Sequence, residues 1–416
     1  MGPMERGGKA RTIGWARDAV LLLGAVGALT LTLSLYARFG FATLSGIANV
    51  EMVDTHLDFT IFRQSALAWL EGANPFHDTG APDISNNPPI WTVLFSPFAL
   101  LEPITAYRLW VPLMAIAQTI ALALAAEELR MRNGAAVLAV ATLLVSAPLL
   151  GTLTIGQMYP VLALGLAAAW ACDRKGKSVA SGVALGLTVA IKPSLAPVLL
   201  WPLVRKRVRS FVAALASGAL ATLAGVLAVG FGPTLDWLDT LRTKFLDGAW
   251  DNASLPGAAA LMFRENRFAE PLATPPYAVV AALILGLGLV AVTAYRARRD
   301  PETGLWALAA AALLASPVTW HNYLPVLAPG VLVLLARRRT AAVASFLIAL
   351  ALVPQSWTAL WEGRGTAVAT LALGLYSYVL LAHWLAFFCA SDGPTAESRP
   401  ANENKNSGAQ EINSPQ

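Results

Sequence analysis

Charge is scarce in this chain. Only 13% of its 416 residues are Asp, Glu, Lys or Arg, while 56% are hydrophobic. Soluble domains carry roughly 25% charged residues, so the shortfall excludes that class and leaves an integral membrane protein. Cysteine is almost missing. Cys172 and Cys389 cannot define a disulfide framework, and no Cys/His cluster has metal-ligand spacing. No segment has the form of a nucleic-acid-binding module, no internal repeat is evident, and no signal-peptide cleavage site follows the first apolar segment.

What is abundant is apolar sequence cut by short polar breaks. The expected spans lie near Ala19–Tyr36, Ile104–Ala126, Ala135–Leu150, Pro160–Cys172, Val179–Ile191 and Leu195–Val204. They continue near Phe211–Phe231, Tyr277–Tyr295, Leu305–Ala315, Tyr323–Ala336, Ala341–Val353 and Ala367–Phe388. Several are shorter than the roughly 20 residues that a straight crossing needs. The basic residues supply the topology. Fifteen of the thirty Lys and Arg sit in "LRMRNG", "DRKGK", "VRKRVR", "YRARR" and "RRR", all short connections. Such connections belong on the cytoplasmic side, and the basic N-terminus belongs with them.

This assignment forces two turns. Ser178–Val204 is flanked by "DRKGK" and "RKRVR", so both its ends are inside and it must reverse on the outer side. Its only break is Lys192-Pro193, and proline cannot continue a helical hydrogen-bond ladder. Gly304–Ala336 lies between "RARRDPE" and "RRR" and must reverse at "SPVTWHNY". With these hairpins the expectation is an all-α polytopic fold of about twelve transmembrane helices, both termini inside. Residues 1–390 form one transmembrane domain with outer loops at 40–103 and 231–276. "PPIWTVLFSPFALLEP" is too short to cross and reads as a re-entrant or interfacial piece. The polar, aperiodic residues 391–416 read as a disordered cytoplasmic tail. Both cysteines fall at cytoplasmic helix ends, where thiols stay reduced.

Polar residues that helix packing does not explain then collect on one face. Asp58, Gln157, Lys192, Asn252 and His321 come from five parts of the chain. Polar groups at membrane depth usually line a site or pathway, because exposing them to lipid is costly. Each has a plainer reading as well. Asp58 is one of six acidic residues between Gly40 and Pro89, Lys192 can snorkel to headgroups, and the Trp320-His321 pair can be an interfacial anchor. Gln157 can end a helix, and Asn252 can start a turn.

The order of these pieces resembles glycosyltransferase family 87, the polyprenol-phosphate-mannose-dependent mannosyltransferases within the multi-spanning GT-C class. "LDFTIFRQSALAWLEGANPFHD" is similar to the family's Asp-containing signature. "NNPPIWTVLFSPFALL", "IGQMYPVLALGL", "VASGVALGLTVAIKPSLAPVLLWPLVRKR", "NASLPGAAALMF" and "ASPVTWHNYLPVLAP" follow in the expected order, from about residue 50 to 340. Asn86-Asn87 stands where the family often has an aromatic residue.

The resemblance implies a sugar, most often mannose, carried on a polyprenyl phosphate and passed to a glycolipid or envelope glycan at the outer face of the cell membrane. It implies Asp58 as general base, with Asp54 as its rival one helical turn earlier. Lys192 would face the leaving phosphate with His321 beside it. Arg63, Gln157 and Asn252 would complete the substrate-binding set. A lipid monophosphate donor does not obviously need a bridging metal, and no cofactor is expected. Two alternatives remain open from sequence: the same fold transferring another sugar such as arabinofuranose, and a transporter or lipid flippase. The second would need ionisable groups near mid-membrane and inverted repeats.

Overall fold

A computed structural model describes residues 57–390, apart from 78, 82, 132, 244–248, 338 and 353–364. The first apolar segment, Asp54 and the tail 391–416 lie outside the described residues. Among the described residues every regular element is a helix, and an isolated bridge joins Asn252 to Trp320.

Two short helices, α1 (Leu57–Leu70) and α2 (Pro89–Ala99), precede a long helix α3 (Pro103–Glu128). Pro103 occupies its first turn, and Glu102 caps it by accepting from the Thr105 N–H at 2.9 Å. Next come α4 (Gly134–Leu144), capped by Asn133, and α5 (Ala147–Ile155), together one apolar stretch. Then follow α6 (Tyr159–Arg174), α7 (Ser178–Ile191), α8 (Pro193–Val204, opening as a 3-10 turn) and α9 (Val208–Val229). The expected loop after α9 holds two helices, α10 (Phe231–Thr243) and α11 (Leu255–Phe263). The chain closes with α12 (Ala278–Ala297), α13 (Gly304–Ala315), α14 (His321–Ala336), α15 (Ala341–Leu350), α16 (Ala367–Leu373) and α17 (Leu375–Ala390).

Among the described residues, four stretches are long and apolar enough to cross a bilayer: α3, α4 with α5, α9 and α12. The expected span Ala367–Phe388 is α16 with α17, a pair long and apolar enough together but bent by 49° at Gly374. The other apolar helices run 10–17 residues. Burial sorts them. Every residue of α13 from Gly304 to Leu314 is buried, as expected for a helix apolar all round and walled in by protein. In contrast α9 and α12 turn Leu220, Leu227 and Ile284 outward, as lipid-facing helices do.

The charged connections meet at one end of the bundle. Asp173 at the close of α6 pairs with Arg205 beyond α8 at 2.8 Å. Arg337 after α14 pairs with Asp300 at 3.1 Å and Glu302 at 2.9 Å, both preceding α13, and donates to the last carbonyl of α17, that of Ala390. Arg174 and Lys175 reach Glu128 at the end of α3, and Arg174 also reaches Glu302. These pairs fold two segments back on themselves. α7 and α8 leave and return to the charged end with Lys192 at the far turn, and α13 and α14 do the same with His321 at theirs. Burial alone would raise the Asp300 carboxyl. The Arg337 and Thr303 hydrogen bonds outweigh it and hold that carboxyl below the ordinary aspartate value.

Candidate active site

At the opposite end, the helix breaks bring the polar residues together. Asp58 is the second residue of α1, whose underside is aromatic. Phe59 meets Phe95 and Tyr107 edge-on at 5.3 and 5.4 Å, and Phe62 meets Trp91 at 5.0 Å. Edge-to-face rings of this kind add stabilisation beyond their buried area and fix α1 in place.

Against this platform lies the turn between α5 and α6. Gly156 sits there at φ +83°, and a Cβ on it would collide with the Cβ of Phe59 and lie 3.1 Å from its Cα. Only glycine permits both the left-handed angle and the contact. The Gly156 carbonyl accepts from Trp110 Nε1 at 2.9 Å. The next residue, buried Gln157, donates through Nε2 to Asp58 Oδ2 at 2.7 Å.

Lys192 follows the last residue of α7 in an extended conformation, φ −138° and ψ 88°, as its following proline favours. Its Nζ donates to Asn87 Oδ1 at 3.1 Å and stands 5.4 Å from the centre of the Tyr323 ring. Tyr323 in turn lies on Tyr159, ring centres 4.0 Å apart. Asp58 is only partly open to solvent, and burial raises its carboxyl above the ordinary aspartate value. The Gln157 hydrogen bond and the Lys192 charge pull it back without cancelling the rise, and Asp83 adds to it.

His321 opens α14, two residues before Tyr323. Its backbone N–H donates to the Asp251 carbonyl at 2.9 Å, and its Nδ1 is 3.9 Å from Asp251 Oδ2. The imidazole stacks on Trp250 with centres 5.9 Å apart and tilts against Tyr376 at 4.7 Å. Asn252 fixes this corner. Its Oδ1 accepts from the Thr319 N–H at 3.0 Å and from Ser254 Oγ at 2.9 Å, and its Nδ2 donates to the Pro317 carbonyl at 3.2 Å. Gly257 packs so closely on it that a Cβ there would strike the Asn252 side chain. At 2% exposure Asn252 acts as a latch between two loops.

Gln157 therefore bonds Asp58 directly, the Lys192 charge acts on the same carboxyl, and His321 stands two residues from Tyr323, whose ring faces Lys192. Arg63 goes elsewhere. Its guanidinium donates to the carbonyls of Leu101 at 2.8 Å and Ala99 at 3.4 Å, bracing the end of α2. Asp54 lies outside the described residues. Four participants escaped the sequence reading: Asn87, Asp251 and the Tyr159–Tyr323 pair. Asn87 belongs to the "NNPP" departure from the family pattern, and Asp251 immediately precedes Asn252. The two tyrosines stand at helix starts like ordinary interfacial aromatics, and nothing in their local sequence sets them apart.

Residues 86–317 match the model of glycosyltransferase family 87. A polyprenol-phosphate-mannose-dependent alpha-(1-2)-phosphatidylinositol mannoside mannosyltransferase of Mycolicibacterium smegmatis is 27% identical over 370 residues, covering 77% of this chain and 80% of that protein. A protein of the same description from Mycobacterium tuberculosis is 30% identical over 334 residues, covering 73% and 76%. Among solved structures, ArnT from Cupriavidus metallidurans bound to undecaprenyl phosphate aligns at 16% identity with a TM-score of 0.35, over 88% of this chain and 77% of that one.

Proposed function

This chain belongs to glycosyltransferase family 87, as a multi-pass membrane glycosyltransferase, and from that premise we propose that it transfers mannose from a polyprenyl-phosphate donor to a lipid-linked mannoside acceptor. The observation that carries the mechanism is the meeting of Asp58 with Gln157 and Lys192 at the ends of three separate segments.

The acceptor hydroxyl approaches Asp58 Oδ1, because Gln157 occupies Oδ2. Asp58 takes the hydroxyl proton while the acceptor oxygen forms its bond to the anomeric carbon. The bond from that carbon to the phosphate oxygen breaks, and its electron pair leaves with the polyprenyl phosphate. The phosphate passes from one negative charge to two, and a fixed cation beside it lowers the barrier. Lys192 supplies that cation, held in place by Asn87, and His321 is a second donor. A raised carboxyl suits the base, since proton transfer is most effective when the catalytic group titrates near the working pH.

The charged end of the bundle holds the Arg- and Lys-rich connections, which favours its placement in the cytoplasm. The site, at the other end of the same helices, then opens extracytoplasmically, where a lipid-borne donor presents its headgroup. The deciding experiment incubates purified protein in liposomes with radiolabelled polyprenyl-phosphate mannose and phosphatidylinositol mannosides. A mannosylated lipid formed by the wild type and absent with Asp58→Asn supports the reading. No product with any mannosyl acceptor, or full activity in the variant, overturns it.

A further inference from the structure

We infer that Asp251 is a positioning residue for His321, holding its imidazole as a cation that aims Nε2–H at the departing phosphate. The inference rests on the proposed phosphate-facing role of His321 and adds the device that makes the ring fit for it.

Three independent features converge on that ring. The first is backbone. The Asp251 carbonyl accepts from the His321 N–H, and the Ala253 N–H donates to the Thr319 carbonyl at 2.6 Å, so two loops 70 residues apart are locked in register. The second is the carboxylate. Asp251 Oδ2 lies on the Nδ1 side of the ring at 3.9 Å, and a carboxylate there favours Nδ1–H and the protonated ring together. The third is the ring's own neighbours. Trp250 and Tyr376, whose own ring centres are 6.1 Å apart, close a triangle with the imidazole and present it with aromatic rings, which favour a cation over a neutral ring. With Nδ1 turned toward Asp251, the second nitrogen, Nε2, carries the other proton and points away from it.

Among the described residues, other titratable groups stand near the turn. Tyr376 comes from α17, Tyr323 from α14 itself, and Tyr159 from α6 through its stack on Tyr323. Lys192, 5.4 Å from the centre of the Tyr323 ring, is a cation on this side of the site and opposes protonation of His321. Asp251 is the carboxylate on the imidazole itself and offsets that opposition.

The test measures hydrogen–deuterium exchange at the histidine C2 position by mass spectrometry, across pH, in intact protein in nanodiscs. His321 is one of four histidines, so its peptide is resolved from the rest. In Asp251→Asn, which keeps the backbone bridge and side-chain size, the His321 midpoint should fall by about one pH unit. Asp251→Glu should restore most of it. An unchanged midpoint in Asp251→Asn overturns the inference whatever the donor sugar proves to be. Kinetics supply the second arm. Asp251→Asn should shift the alkaline limb of the kcat profile to lower pH and add no further loss to His321→Ala. Additive losses in the double variant would assign Asp251 a separate role. Absence of mannosyl transfer in the wild type would count against the proposed function, and the exchange measurement would still stand.

Discussion

Gln157 Nε2 donates to Asp58 Oδ2 across 2.7 Å, although the two residues lie 99 positions apart. The bond fixes which carboxylate oxygen remains for a substrate proton. It also opposes the burial that raises the carboxyl, so the group is tuned by two elements at once.

Replacing Asp58 with Asn should reduce transfer by about 10³-fold while the protein still inserts and purifies normally. It should also raise thermal stability. A carboxyl raised in the folded state favours folding below its unfolded value, near pH 4, and that contribution is lost as pH rises through the folded value. At neutral pH the wild type therefore carries the cost of an ionised, half-buried carboxylate, and Asn removes it. Melting in detergent at pH 7 and at pH 4 measures both signs, and the gain should vanish at the lower pH.

Lys192→Met removes a charge that holds Asp58 down. The acid limb of the rate profile should move to higher pH, because the base then gives up its proton less readily. The limiting rate should fall by about 10²-fold from the lost cation. Gln157→Leu should shift the same limb in the same direction with a smaller fall in rate. Initial rates between pH 4 and 8 discriminate the two.

Gly156→Ala places a methyl group against Phe59 and forces a positive φ on alanine. Displacing Gln157 and the edge of α1 by even 1 Å is expected to cost about 10²-fold in kcat. The protein should remain folded, since Phe62 still holds α1 on Trp91 and Phe95.

Arg337→Met strands Asp300, whose side chain is 6% exposed, without its guanidinium. Removing one partner of such a buried pair costs about 3 kcal/mol. The expected outcome is a marked drop in melting temperature with kcat per folded molecule unchanged, because the pair sits at the end of the bundle away from Asp58.

Sidedness has a direct test. In a background with Cys172 and Cys389 changed to Ser, a cysteine at exposed His77 should react with a membrane-impermeant maleimide from outside intact cells. One at Lys206 should react only after lysis. The reverse pattern would place the site in the cytoplasm.

Much of this arrangement is legible in the sequence because charge in a membrane chain has few places to go. The basic connections alone required Ser178–Val204 and Gly304–Ala336 to turn back, and the Asp173–Arg205 and Asp300–Arg337 pairs close both. Lys192, Asp58 and Gln157 stood out as polar groups without a packing reason. Arg63 joined the expected set only through the family resemblance, yet its guanidinium serves two carbonyls at the end of α2, and no local pattern tells a brace from a ligand. The bend at Gly374 was hidden because apolar composition does not register a 49° change of axis, and α10 and α11 were hidden because neither is a long apolar run. Asp251 was hidden because its meaning comes from a cross-loop bridge to His321.

The returning hairpins bear on how the chain is made. Between Ser178 and Val204 the one charged side chain is Lys192, so on the proposed sidedness a single ammonium makes the passage through the insertion machinery, at a cost of about 3 kcal/mol. The arginine clusters at its feet stay where they were synthesised. Biogenesis thus delivers to the far leaflet one cation and little else, already mounted at the tip of a folded loop.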